Sequence, residues 1–368
     1  MKITQIDVFA VELPYSGGVY LLSGGREYRS FDATIVRLRS DDGLEGWGES
    51  TPFGSTYIAS HPLGVRAAIE QLAPSVLGQD PRQVDRVNDA MDDALVGHAD
   101  GKAPIDIACW DLFGKAVEMP ACELLGGSTR APLAAISSIY AADPEEMRAR
   151  VAHYRERGYG GHSIKIGDDP SLDAARIEAA LADRRAGEFF LVDANGAMTA
   201  EAALRMLRML PSGLDFVLEA PCRTWRETLS LRRRTDVPIL LDELVNDTAS
   251  AIQAIADDAA DAIGLKVSSV GGLTPGRRVR EICIAGGLTV SVQDTTGSDI
   301  AFAAVVHLAQ TVPPRYLRCI LEAREMVTKT TVSDPIPLVD GHATAPATPG
   351  LGVTPRLDVL GEPIATYT

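Results

Sequence analysis

Residues 188–266 read EFFLVDANGAMTAEAALRMLRMLPSGLDFVLEAPCRTWRETLSLRRRTDVPILLDELVNDTASAIQAIADDAADAIGLK. Four apolar runs in this stretch, FFLVD, DFVLE, PILLD and DAIGLK, each close on a charged residue: Asp193, Glu219, Asp242 and Lys266. The intervals are 26, 23 and 24 residues, the length of one strand, one helix and their loops. Such a repeat predicts neighbouring parallel strands joined by right-handed crossovers, each with its charge at the same end. In a barrel of alternating strands and helices, that end is where catalytic groups collect.

The same rhythm extends in both directions. Strand-like runs recur at 133–140 (LAAISSIY), 162–166 (HSIKI), 288–294 (LTVSVQD) and, more weakly, 315–321 (RYLRCIL), with helical patterns between them. Eight strands and seven intervening segments predict an α/β fold, a modified (β/α)7β barrel, over residues 126–330. Residues 1–125 read differently. Two alternating strands come first, ITQIDVFAVEL and ATIVRLRSDDGLEGWGES, with Asp42-Gly43 suited to a hairpin turn. Two loops, 16–28 and 51–61, break up the strands, and three helical patterns follow. This part predicts an α+β capping domain. The tail, 331–368, is rich in Pro and Gly, contains no further strand–helix unit, and is expected to pack back onto the cap.

Three carboxylates converging at one mouth repel each other unless a cation lies among them. Oxygen-only donors favour Mg²⁺ or a similarly hard ion, one per subunit. Asp193, Glu219 and Asp242 are the expected ligands. Asp242 is preferred to Glu243 because alternate strand residues face opposite ways. Asn195, two residues past Asp193, adds a polar group at the same mouth. Lys165 lies in the second strand and Lys266 ends the sixth, so the two amines are expected on opposite sides of the barrel. An amine beside a divalent cation can lose its proton near neutral pH and serve as a base. The set predicts an enzyme that removes a proton from a carbon next to a carboxylate.

Composition bounds the alternatives. The formal charge is −15, from 35 basic and 50 acidic residues, which argues against nucleic acid and acidic membrane surfaces. No apolar stretch is long enough to span a bilayer. The N-terminus alternates like a strand and lacks a signal-peptide core. Five scattered cysteines without CxxC spacing suit buried thiols and a reducing cytoplasm. The expected partner is a small molecule.

With those residues in place, the chain resembles the enolase superfamily, in its muconate lactonizing and mandelate racemase-like branch. The resemblance rests on the Asp, Glu, Asp strand ends, the lysines of strands two and six, the stretch APIDIACWDLFGKAVEMPACELLGG (103–127) and the tail PGLGV. It implies a barrel with a cap, Mg²⁺ at Asp193, Glu219 and Asp242, proton transfer by Lys165 and Lys266, and a homo-oligomer. The branch usually carries Lys-x-Lys on strand two, and Ser163 stands in the first of those positions here. The mandelate racemase type needs a histidine at the end of strand seven, where this chain has Asp294. His162 is expected to bond outside the barrel.

Segments 20–38 and 51–70 resemble enzymes of the branch that act on proline derivatives, the cis-3-hydroxy-L-proline dehydratases first and the hydroxyproline betaine epimerases second. In cis-3-hydroxy-L-proline the α-hydrogen and the hydroxyl leave from opposite ring faces, which suits two opposed lysines. Lys165 is expected as base and Lys266 as acid, giving Δ1-pyrroline-2-carboxylate. The alternatives are a two-lysine racemase or epimerase of proline or hydroxyproline betaine, and a dipeptide epimerase or cycloisomerase. Tyr57, Ser163, Asn195, Asp294 and Glu322 are the expected substrate contacts, with Tyr140 a further candidate at the mouth.

Overall fold

The computed structural model describes residues 1–368. Strands β1 (Ile3–Pro14), β4 (Ser30–Ser40) and β5 (Glu45–Ser50) form an antiparallel sheet, β4 and β5 turning through Asp42-Gly43. Between β1 and β4 lies a small hairpin of β2 (Tyr20–Leu22) and β3 (Arg26–Tyr28). The sequence reading treats this segment as loop. Gly24 and Gly25, at φ of 70° and 72°, make the tight reversal, and a Gly-Gly pair between two three-residue runs is a hairpin signal. Helices α1 (Pro62–Val76), α2 (Val84–Ala94), α3 (Ala99–Ala116) and α4 (Ala121–Leu124) complete the cap.

The barrel strands are β6 (Leu133–Ile139), β7 (Gly161–Lys165), β8 (Phe189–Asp193), β9 (Val217–Glu219), β10 (Ile239–Leu241), β11 (Ala262–Lys266), β12 (Thr289–Gln293) and β13 (Leu317–Leu321). Each pairs in parallel with the next, and β13 pairs with β6, closing the ring. Helices α5 (Pro144–Glu156), α6 (Pro170–Leu181), α7 (Ala200–Met209), α8 (Trp225–Arg232) and α9 (Thr248–Ala256) fill the crossovers up to β11. The short α10 (Val267–Val270), then α11 (Leu273–Ala285) and α12 (Asp299–Ala309), complete the set. Most of these helices start at an Asp or Thr whose side chain accepts a backbone N–H of the first turn, as at Asp143, Asp169, Thr199, Thr224 and Asp247. The tail adds β14 (His342–Ala343) against β6, and β15 (Ala365–Tyr367) against β1.

Helix α3 joins the cap to the barrel. It is buried along nearly its whole length, so its acids need partners. Asp106 accepts from Asn88 Nδ2 (2.6 Å) and from the backbone N–H of Thr274 at the start of α11 (2.9 Å). Asp111 accepts from the N–H of Trp47 in β5 (2.9 Å) and of Leu351 in the tail (2.8 Å). Glu49, at the end of β5, is wholly buried and accepts from the N–H groups of Ser298 (2.8 Å) and Ala301 (3.1 Å) at the start of α12. There its charge lies at a helix N-terminus. These acids tie the cap sheet and α3 to the barrel helices α11 and α12 and to the tail.

His162 points out of the barrel, as alternation with Ser163 and Lys165 demands. Its Nδ1 pairs with Ser137 Oγ (2.8 Å) and its ring lies against Phe190. All five cysteines are buried and unpaired. No helix is long and apolar enough to cross a membrane.

Close packing of β5 on α3 depends on the absence of a side chain at Gly48, where a Cβ would stand 2.1 Å from the Pro104 carbonyl oxygen. Gly48→Ala should therefore cost about 2–4 kcal/mol of stability in denaturant unfolding. Gly160→Ala, where a Cβ would meet nothing within 4 Å, should stay within about 0.5 kcal/mol of wild type.

Candidate active site

Barrel order fixes the layout of the charged groups. β7, β8, β9, β10 and β11 are consecutive, so Lys165, Asp193, Glu219, Asp242 and Lys266 follow one another around half of the ring. Lys165 registers with Asp193, and Asp193 with Glu219. Asp242 lies one residue past β10, two beyond Leu240, which registers with Glu219. The lysines are four strands apart in a ring of eight, with the three acids between them.

Each outer acid is turned to its neighbouring lysine. Lys165 Nζ donates to Asp193 Oδ2, and Lys266 Nζ to Asp242 Oδ2 at 2.5 Å. Burial alone disfavours the charge of both lysines. The attraction of Asp193 outweighs it at Lys165, and that of Asp242 and Glu243 at Lys266, so both hold their protons above the ordinary lysine range. Burial, reinforced by repulsion from Asp193 and Asp242, pushes the Glu219 carboxyl well up. Burial also raises Asp242, to about 7, against the pull of Lys266. An ion pair should lower an acid, and here loss of hydration is the larger effect.

The three acids thus sit beside one another, but no trio of Asp, Glu, His or Cys side chains is gathered closely enough to grip a metal ion. As the side chains stand, the lysines provide the positive charge. The donor set nevertheless fits a hard divalent cation: three buried carboxylates on adjacent strands, the middle one flanked by like charges, and only oxygen donors. Side-chain rotation of Asp193 and Asp242 away from their lysines would complete the set.

Asn195, at φ 45°, ties barrel to cap. Its backbone N–H and its Nδ2 both donate to Asp193 (2.8 and 2.9 Å), and Nδ2 also reaches Glu243 (3.1 Å). From the cap hairpin, Ser23 Oγ donates to Asn195 Oδ1 (3.0 Å) and Arg26 Nη2 to the Asn195 carbonyl (3.0 Å). Glu243 faces the mouth alongside Asp242. Asp242 continues the inward face of Leu240 and lines the inner cavity of the barrel, whereas Glu243 lines only the outer cleft.

Tyr57, from the 51–61 loop, reaches into the barrel. Its hydroxyl donates to Asp242 Oδ2 (3.2 Å) and accepts from Lys266, while its ring lies under both Lys266 and Arg26. Inside it is a cavity of about 30 Å³ lined by both lysines, the three acids, Asn195, Ser163 and Asp294, room for two or three waters. Outside it is a cleft of about 1440 Å³ that shares Tyr57, Asn195, Asp242 and Lys266 with the inner cavity. Any ring-sized substrate therefore requires Tyr57 to move.

Two expected contacts lie elsewhere. Glu322 turns its carboxylate to Arg324, accepting from Nε (2.8 Å) and Nη2 (2.5 Å), and Leu321 is the β13 residue that lines the inner cavity. The β13 strand ends at Leu321, so Glu322 follows the chain into the next turn rather than the barrel face. Tyr140 donates to Glu146 (2.8 Å) at the surface. Asp294 lines the inner cavity but is already bonded, accepting from Ser268 Oγ (2.7 Å) and the Thr295 N–H (2.8 Å). The sequence reading missed Tyr20, Ser138, Gln293 and Thr295, which also line that cavity. Ser138 and Gln293 had a signal, since each is an alternate residue on the inward face of a strand already identified.

Comparison with known proteins gives the family and the fold. Residues 26–126 match the mandelate racemase / muconate lactonizing enzyme N-terminal domain, and residues 146–359 match the enolase C-terminal domain-like family. The chain is 41% identical over 368 residues, all of both chains, to a cis-3-hydroxy-L-proline dehydratase of Roseibium aggregatum. A crystal structure from Aspergillus oryzae, assigned to the mandelate racemase/muconate lactonizing enzymes, is 63% identical and superposes with a TM-score of 0.95, covering 100% of this chain and 99% of that one. Another so assigned, from Roseovarius nubinhibens ISM and complexed with magnesium, is 55% identical with a TM-score of 0.98, covering 100% of both chains.

Removing one charge from the middle of the acid row should stabilise the metal-free protein. Glu219→Gln is expected to raise Tm by about 2 °C in EDTA and to abolish the Tm increase that added Mg²⁺ gives the wild type. Calorimetric scans with and without Mg²⁺ check both halves.

Proposed function

The chain belongs to the mandelate racemase/muconate lactonizing enzyme family of the enolase superfamily, and from that membership we propose that it is a Mg²⁺-dependent dehydratase of a proline derivative, cis-3-hydroxy-L-proline. The observation that carries the reading is the position of the two amines, four strands apart with the acids between them. Full-length similarity to a dehydratase of that substrate supports the choice of substrate and reaction.

Asp193, Glu219 and Asp242 would hold the ion. A divalent cation held there would supply positive charge that competes with the lysines for these carboxylates and offsets charge on the substrate carboxylate. Lys165, on one flank, takes the α-proton from one ring face, and the electron pair it leaves spreads into the carboxylate as an enediolate. Lys266, on the opposite flank, gives a proton to the 3-hydroxyl on the other face. The C3–O bond breaks, water leaves, and the enamine tautomerises to Δ1-pyrroline-2-carboxylate. Tyr57 and Asn195 tie the acid side of the site to the cap loops, so closure of the cap and shaping of the site are one event.

The same two amines suit a racemase or epimerase, which would move the α-proton between faces without loss of hydroxide. β13 adds no aromatic, but Tyr20, Phe53 and Tyr57 line the inner cavity and supply the rings a quaternary ammonium prefers, so the betaine is ranked second on the full-length similarity to the dehydratase. A dipeptide epimerase is disfavoured because Glu322 is occupied by Arg324.

Incubation with cis-3-hydroxy-L-proline and Mg²⁺ in D₂O should yield a product trapped by o-aminobenzaldehyde. Inverted, deuterated substrate with no loss of hydroxyl would assign the epimerase instead. Lys266→Ala should retain slow α-proton exchange through Lys165 while elimination falls by about 10³-fold. Elimination at the wild-type rate in that variant would overturn the division of roles.

A further inference from the structure

Two buried polar atoms on the wall of the outer cleft have no partner. Asp100, in the first turn of α3, is 9% exposed, and its Oδ1 meets neither a hydrogen-bond donor nor solvent. Ser269 Oγ, in α10, is in the same condition. Both residues line the cleft together with Lys266. The other buried acids of α3 have structural work, since Asp106 and Asp111 each hold backbone N–H groups of other elements. Asp100 holds no other element, so the fold gives no reason for a buried carboxyl at this position.

Packing connects Asp100 to Lys266. α10 begins at the residue after Lys266 and lies against α3. A side chain at Gly271, just past α10, would meet the Ala99 Cβ at 3.9 Å. Burial raises the Asp100 carboxyl to about 6, against the pull of the Ser60 hydroxyl and of the Lys266 charge. A carboxyl oxygen and a hydroxyl buried without protein partners are where ordered water makes the missing bonds. Lys165 lines the inner cavity alone, whereas Lys266 lines the cleft as well. The other charged or titratable groups that these elements bring to the cleft are engaged or exposed. His61 Nδ1 accepts the Gly64 N–H, Lys102 is paired with Asp92 and Arg278 with Asp85, and His98 is exposed. Asp294, which feels the Asp100 charge, accepts from Ser268 Oγ at 2.7 Å.

We propose that Asp100 returns a proton from the water of the outer cleft to Lys266 after each turnover. The inference rests on the reading above, in which Lys266 gives its proton to the departing hydroxyl and is left a neutral amine. A second cycle requires that amine to be recharged. The O–H bond of protonated Asp100 breaks and an N–H bond forms on Lys266 Nζ, with water held at Asp100 and Ser269 carrying the transfer. The Asp100 carboxylate then takes a proton from an acid of the solvent, and Lys165 sheds to solvent the α-proton it took, so protons balance over the cycle. A carboxylic acid is a far stronger acid than an alkylammonium, so the transfer runs downhill. Asp100 acts through Lys266 and does not touch the substrate.

The order of events makes the test specific. kcat/KM reports the steps up to loss of water, whereas kcat includes the recharging that follows. With cis-3-hydroxy-L-proline and Mg²⁺, Asp100→Asn should lower kcat about tenfold or more while kcat/KM stays within about twofold of wild type. Rapid mixing of that variant should show a burst of about one product per site before the slow phase. Formate, a small diffusible acid, should restore kcat in Asp100→Ala to within about threefold of wild type. His98→Ala, which removes the exposed imidazole of the same wall, should keep both constants within about twofold. Tm of the Asp100 variants should stay within about 2 °C of wild type. A wild type that dehydrates while Asp100→Asn matches it overturns the relay and leaves the dehydratase reading in place. Equal falls in kcat and kcat/KM without a burst also overturn the relay. A wild type that inverts the substrate instead overturns the dehydratase reading alone, and the burst is then counted on the inverted product. Turnover of neither kind overturns both.

Discussion

Five charged side chains share half of one barrel mouth, and all five are nearly out of contact with water. Three are carboxylates on adjacent strands, a placement that costs several kcal/mol per ion unless opposite charge is near at hand. The chain meets that constraint with a lysine at each end of the row. Glu219, in the middle, has no lysine of its own, and its raised carboxyl is the residue of electrostatic strain in the site. A divalent cation would relieve that strain and free both amines at once. On the proposed reading, loading the site and arming the two lysines would therefore be coupled by the same charges.

The cap is built around this row. α3 lies buried between the cap sheet and the barrel, and its acids cap backbone N–H groups on both sides. Glu49 does the same at the start of α12. With the frame fixed, the two cap loops bring Tyr20 and Tyr57 to opposite parts of the cavity: Tyr20 against the Lys165 side, its hydroxyl paired with the half-buried Ser138, and Tyr57 onto Lys266 and Asp242. Tyr57 divides a cavity too small for a ring from a cleft larger than one requires. The loops that shape the pocket are thus bonded to Lys266, Asp242 and Asn195.

Much of this could be read in the chain. Period, apolar runs and terminal charges at 193, 219, 242 and 266 suffice for the barrel and for the order of its acids, because strand ends in a parallel barrel are set by topology. Lys165 followed from the rarity of a lysine within a buried strand. Reading failed where local geometry overrides pattern. Glu322 was assigned to the mouth by its position after β13, and a guanidinium two residues on claimed it. Tyr20 lies in a segment whose Ser and Gly content suggested loop, and nothing in sequence indicates that its hydroxyl meets Ser138, 118 residues away.

The central claim is that the three acids hold one divalent ion with an amine on either side. Anomalous diffraction from crystals grown with Mn²⁺ tests it most directly. A single strong peak is predicted within about 2.2 Å of an oxygen from each of Asp193, Glu219 and Asp242, with Lys165 and Lys266 drawn off their carboxylates and on opposite sides of it. No peak at that position, or both amines on one side of it, would contradict the account.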